Sequence, residues 1–192
     1  MRKRQQEILT ESILMTDERE INLAECTLIE RARQGDQAAY GALYQQHYRR
    51  IYALCLRLLS DTGLAEDALQ GCFIQAWRKL EQYRQQASFT SWLHRIAVNE
   101  CLGLRRKRRP WLLFSNDTAE HSGSVIKQQD SRYDLDKAIA RLPLRPRQVL
   151  VLHDVEGYTH DQVAEILNIA QGTSKNQLHR ARKQLKEWLR HD

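Results

Sequence analysis

Glycine and proline are scarce in this chain, at 8 and 3 of 192 residues. That leaves too few turns for an all-β sandwich or barrel, whose short strands need a turn signal about every ten residues. No run of about 18 apolar residues occurs, so the sequence holds no membrane-spanning helix. Arg2, Lys3 and Arg4 open the chain, but Gln5, Gln6, Glu7 and Glu11 follow where a secretory leader needs an apolar stretch. The four cysteines, Cys26, Cys55, Cys72 and Cys101, are far apart and include no Cys-x-x-Cys pair. A zinc site or disulfide framework is therefore not expected, and a reducing, cytoplasmic setting is. The phosphate-loop, Gly-x-Ser-x-Gly and His-Glu-x-x-His patterns are missing, so no enzyme is expected. His153, Asp154 and His160 flank one turn and read as surface groups; no cofactor or metal is called for.

Charge is present, and it is unevenly placed. Residues 1–25 carry four basic and six acidic groups; residues 26–109 carry fourteen and seven. Residues 110–136 carry two and five, and residues 137–192 carry ten and six. Two basic blocks thus flank an acidic connector. Basic blocks concentrate polyanions at their surface, which points to nucleic acid.

Apolar residues recur at helical spacing along most of the chain. The pattern predicts helices over 27–34, 37–59, 64–80 and 88–109, the last stopped by Pro110. Leu64, Ala68, Phe73, Ala76, Trp77 and Leu80 form the expected inner face of the third. Residues 111–130 hold a short apolar patch and then a polar, Ser- and Asp-rich stretch of linker composition. Further helices are predicted over 131–142 and 147–156, stopped by Pro143 and Gly157. Thr159-His160-Asp161-Gln162 has the spacing of a capping box, opening a helix to about Leu167. A turn at Asn168-Ile169-Ala170 leads to a last helix over 171–190. The fold class is all-α: two small helical domains, 26–109 and 131–192, joined by a flexible linker, 110–130, after an N-terminal arm, 1–25.

A capped helix, a three-residue turn and a basic helix make a helix-turn-helix. In the last helix Leu178, Ala181, Leu185 and Trp188 form the inner stripe; Lys175, Asn176, His179, Arg180 and Lys183 face away from it. Donors on one face and apolar anchors on the other suit a helix that enters a major groove. In the first domain Arg105-Arg106-Lys107-Arg108-Arg109 is a run of five cations suited to phosphate contact. The segment Tyr83-Arg84-Gln85-Gln86-Ala87-Ser88-Phe89 mixes aromatic and polar groups, which can stack and hydrogen-bond unpaired bases. Tyr83, Phe89 and Trp92 also read as core, a reading preferred for Phe89 and Trp92.

Leu64-Ala65-Glu66-Asp67-Ala68-Leu69-Gln70, with Phe73 and Trp77 after it, resembles the second conserved region of bacterial sigma-70 family factors. Ser88 to Asn99 resembles the segment that meets the minus-ten promoter element, and Leu142 to Leu185 resembles region four. Two such domains in this order, over roughly 26–109 and 135–190, resemble the extracytoplasmic-function (ECF) group. The resemblance implies a sigma factor that binds core RNA polymerase and directs promoter-specific initiation. It implies that Asp67 and Gln70 bind core polymerase. Tyr83, Arg84, Ser88, Phe89, Arg95, Asn99, Arg105, Arg106 and Arg108 would meet minus-ten DNA, with Asn99 holding a flipped base. Lys175, Asn176, Gln177, His179, Arg180 and Lys183 would read the minus-thirty-five duplex. An anti-sigma protein, often membrane-tethered in this group, is the implied regulatory partner. The alternative is a stand-alone helix-turn-helix regulator, which should dimerise and bind a palindrome.

Six positions depart from the family pattern. Gly71 stands in place of an acidic residue, and Gln85-Gln86 in place of a glycine–acidic pair. Ala170 replaces the usual capping residue, Ser174 an apolar one and Gln177 a frequent Arg.

Overall fold

The structure is a computed structural model that describes residues 23–112 and 131–189, with side chains described over 23–107 and 135–189. The linker call and most of the N-terminal arm lie outside the described residues. No strand occurs among the described residues.

Helix α1 covers residues 23–33 and ends at Gly35, whose φ of +91° only glycine adopts cheaply. Helix α2 spans Gln37–Leu59; Asp36 caps it by accepting a hydrogen bond from the Ala39 amide at 3.0 Å. That amide, and the Arg31 guanidinium beside it, hold the Asp36 carboxyl below its ordinary range. Ser60, at a left-handed φ of 52°, closes α2, and the Asp61 side chain starts α3 at once. Helix α3 spans Thr62–Lys79 and tightens into a 3-10 turn at Leu80–Gln82. Helix α4 spans Phe89–Leu112. Pro110 does not end it: the helical backbone runs two residues farther, to Leu112.

These helices pack α2 against α3, α3 against α4 and α2 against α4. Their shared core holds Leu43, Ile51, Leu54, Leu58, Phe89, Leu93 and Val98. Cys55, Cys72 and Cys101 are buried within it, where a free thiol packs as a small apolar group; Cys26 is half-buried. Gly71 sits where α3 faces α4: a β-carbon there would lie 2.9 Å from Glu100 Oε2.

The second domain is built from α5 (Ser131–Arg141), α6 (Leu144–Leu150), α7 (His160–Leu167) and α8 (Gln171–Trp188). The helix expected over 147–156 starts three residues earlier and changes character: Val151–Val155 form a π-helical turn. There the Glu156 amide reaches back to the Val151 carbonyl at 3.0 Å. Periodicity cannot foresee this, because the extra residue in the turn leaves the apolar spacing unbroken on either side. Arg147, buried between α5 and α6, donates to the Ala140 carbonyl at 2.8 Å. Burial, with Arg105 nearby, pushes its pKa down to about 10.

The two domains touch. Helix α2 packs against α5, α6 and the π turn. Arg57 donates to Asp136 at 2.8 Å across the junction, and His94 of α4 meets Glu156 at 2.8 Å.

Candidate nucleic-acid interface

Ser88 opens α4 as its cap. Its hydroxyl accepts the Ser91 amide at 3.2 Å and contacts the Ser91 hydroxyl at 2.8 Å. The capped helix then presents Ser91, Arg95 and Asn99, four residues apart and all exposed, on one face. Arg106 and Lys107 are exposed farther along, and Arg105 is half-exposed. Arg108 lies beyond the described side chains.

The loop before α4 is braced from behind. Arg33 donates to the carbonyls of Tyr83 and Leu80, and its guanidinium lies 5.9 Å from the centre of the Tyr83 ring. The Tyr83 hydroxyl donates to the Ala87 carbonyl at 2.7 Å, closing the loop on itself. Tyr83, Phe89 and Trp92 form a cluster with ring centres 5.2–5.5 Å apart. Phe89 is 1% exposed and also packs on His47. Its place among the minus-ten contacts is therefore corrected: Phe89 is core, because it must fill the space between α2 and α4. Tyr83 is 6% exposed and likewise forms the floor of the loop. What the loop offers outward is Arg84, Gln85 and Gln86. Gln85 has a φ of 57°, a left-handed conformation that costs a non-glycine residue about 1–2 kcal/mol. This is where the family pattern has its glycine.

On α3, Asp67 and Gln70 are exposed, and so are Ile74 and Trp77. These four lie three, four and three residues apart, one face of a helix. Trp77 was expected inside; it is 37% exposed and lies against Tyr40 at 4.7 Å, edge to face. Helical spacing alone misses it, because the inner and outer apolar rows of α3 adjoin. The outcome is an apolar strip beside two polar groups, the form of a docking face.

The capping box of α7 is complete. Thr159 Oγ1 accepts the Gln162 amide at 3.3 Å, and Gln162 Oε1 accepts the Thr159 amide at 2.9 Å. Ala170, in contrast, gives α8 no side-chain cap. Ser174 is fully buried and bonds His160 Nδ1 at 2.9 Å. A hydrogen bond thus joins α7 to α8 where the family pattern has an apolar contact. The His160 ring lies 4.2 Å from that of His153. Burial, helped by the charges of His153, Lys175 and Arg182, lowers the His160 pKa below 6.5. Asp154 binds Arg182 through two hydrogen bonds, 2.7 and 2.9 Å, and tethers α8 to the π turn. The described residues hold no cluster of three metal-ligating side chains.

On the outer side of α8, Lys175, Asn176, His179, Arg180 and Lys183 are all exposed, and Gln177 is half-buried. Gln177, Arg180 and Lys183 line a groove of about 630 Å³ shared with Pro143, Leu144 and Arg145. A cationic, amide-bearing face on a helix anchored by Leu178, Ala181 and Leu185 can bind phosphates and base edges together.

Comparison with known proteins follows these two faces. Residues 43–110 match the family described as Sigma-70 region 2, and residues 132–185 match Sigma-70, region 4. The ECF RNA polymerase sigma factor SigM of Mycobacterium tuberculosis is 33% identical over 156 residues, covering 81% of this chain and 79% of its own. SigW of Bacillus subtilis is 30% identical over 177 residues, covering 84% and 95%. Among solved structures, the sigma factor RpoE in complex with the anti-sigma factor NepR from Bartonella quintana has a TM-score of 0.62 at 26% identity. That likeness covers 80% of this chain and 98% of that one.

Proposed function

This chain belongs to the ECF sigma factors of bacterial RNA polymerase, and from that premise we propose how its surfaces divide the work. The α3 face of Asp67, Gln70, Ile74 and Trp77 binds core polymerase. The α4 face of Ser91, Arg95 and Asn99, with Arg84 of the preceding loop, takes the unpaired minus-ten strand. The outer face of α8 reads the minus-thirty-five duplex. The observation that carries this reading is the exposure, in one chain, of two separate cationic helix faces on two separate domains.

The chemistry is binding, and no step needs a catalytic residue. Arg84, Arg95, Arg106 and Lys107 attract phosphate and give affinity that falls with salt. Asn99 offers an amide that can pair with the edge of a base swung out of the stack, offsetting an extrusion cost of a few kcal/mol. Lys175 and Lys183 position α8 on phosphates, while Asn176, His179 and Arg180 reach base edges. The domains are 26–109 and 131–192, with 110–130 passing between them. The working place is the bacterial cytoplasm, where core polymerase is. An anti-sigma protein, free or held at the inner membrane, is the natural antagonist; RpoE was solved with such a partner. None of the described helices is long and apolar enough to cross a membrane itself.

The test is size exclusion of the purified chain mixed with core polymerase. One-to-one comigration is expected, and Asp67→Ala with Gln70→Ala should abolish it. A free homodimer that ignores polymerase would overturn the reading in favour of a stand-alone regulator.

A further inference from the structure

The docking face of α3 has a gap in it. Asp67, Gly71 and Ile74 fall at steps of four and three on one side of the helix, and Gly71 offers no side chain. A glycine in mid-helix costs stability against alanine, and what it provides in return is room for a close neighbour. That neighbour comes from the next helix. On α4, Leu93, Ala97 and Glu100 lie four and three residues apart, in the row that packs towards α3. Leu93 and Ala97 are fully buried, and Glu100, at the end of the row, is half-exposed. A β-carbon at 71 would meet the Glu100 side chain, with Oε2 at 2.9 Å, Cδ at 3.5 Å and Cγ at 3.7 Å. Any side chain at 71 would therefore have to displace the Glu100 carboxylate. Gly71 is also the position where the family pattern has an acidic residue. The carboxylate missing from α3 thus has a counterpart on α4, within the reach of one side chain.

We propose that Glu100 supplies, from α4, the acidic group of the polymerase-docking face that α3 lacks at Gly71. The inference rests on the functional reading above and adds a residue to its core-binding surface. With Glu100 included, the face holds the carboxylates of Asp67 and Glu100 and the Gln70 amide beside the apolar strip of Ile74 and Trp77. Its complement is a polymerase surface that sets arginine or lysine next to an apolar patch. A carboxylate that accepts from a charged donor makes one of the stronger hydrogen bonds between proteins. Gly71 then acts as a positioning residue, because its bare backbone lets the Glu100 carboxylate lie against α3.

The test is a titration of the fluorescently labelled full chain with core polymerase. Glu100→Gln keeps the shape and removes the charge. It should weaken binding about tenfold at low salt, and by less at high salt. Glu100→Ala should weaken it at least as much. Gly71→Glu in the Glu100→Ala background returns a carboxylate to the face from α3, into space now cleared, and should restore most of the lost affinity. Gly71→Ala in the same background fills that space without a charge and should restore none. If Glu100→Gln loses its helical circular dichroism, the two Gly71 variants, compared at equal helicity, decide. Unchanged affinity in a folded Glu100→Gln, or equal affinity of the two Gly71 variants, would overturn the assignment. Wild-type binding that Asp67→Ala with Gln70→Ala abolishes but Glu100→Gln leaves intact sinks this inference and spares the functional reading. No binding by the wild type sinks both.

Discussion

Gln85 occupies a loop position of the first domain where the backbone asks for glycine. Its left-handed φ of 57° is held by the braced loop, and its side chain gains only a 3.4 Å hydrogen bond to Glu30 in return. Gln85→Gly should therefore stabilise the fold by roughly 0.5–1 kcal/mol, the left-handed penalty less the added chain entropy of glycine. Urea midpoints of the two proteins would measure it, and a lower midpoint for the variant would show that the loop is not strained. Single residues also mark what sequence reading can and cannot see. The departure at Gln85-Gln86 was visible in the sequence, but the reason it matters is a backbone angle. Ser174, which replaces an apolar residue of the family pattern, is a hydrogen-bond partner of His160. Phe89 was readable both ways from pattern alone, and only the closeness of His47 and Trp92 decides for the core.

At the scale of elements, the helices with strong punctuation were legible. The Thr159–Gln162 box set the start of α7 by local chemistry that a few residues of sequence reveal, whereas Asp61 caps α3 two residues before the start expected at 64. The π turn was not legible, because one extra residue in a turn leaves no mark in the apolar spacing, and neither was the passage of α4 beyond Pro110, since proline ordinarily reads as a stop. The junction of α7 and α8 makes a prediction. His160, and His47 in the first domain, are held below their ordinary pKa, in both cases chiefly by burial. An unfolded chain then binds protons at a pH where the native chain does not. Stability should thus fall as pH drops through the unfolded value near 6.5 and towards the lowered native values, and be fully present above it. Urea unfolding between pH 8 and 5.5 would show the slope, and His160→Gln should flatten part of it. An unchanged slope in that variant would mean that His160 does not report the fold.

For the whole molecule, the two-domain plan was legible because each domain repeats its apolar rows at helical spacing. Their contact was not, since His94, Glu156, Arg57 and Asp136 are polar and pattern reading sends such residues to water. The division of labour between domains is open to two substitutions. Arg180→Ala should cost about 1–3 kcal/mol in binding at the upstream element and leave non-specific DNA affinity alone. Asn99→Ala should leave closed complexes with polymerase intact and impair strand opening, read as lost permanganate reactivity. Equal loss of both steps would remove Asn99 from the base pocket, and a purely non-specific effect of Arg180→Ala would remove it from base reading.

All four cysteines belong to the first domain, and Cys55, Cys72 and Cys101 are sealed in its core. Burial raises the Cys72 thiol well above its ordinary range, and contact with Cys55, added to burial, does the same for Cys101. Attack by a thiol reagent requires an accessible thiolate. Alkylation of these three thiols therefore waits for the α2–α4 bundle to come apart, whatever the second domain is doing. A pulse of alkylating reagent followed by mass spectrometry would time the breathing of one half of the molecule alone, without any engineered label.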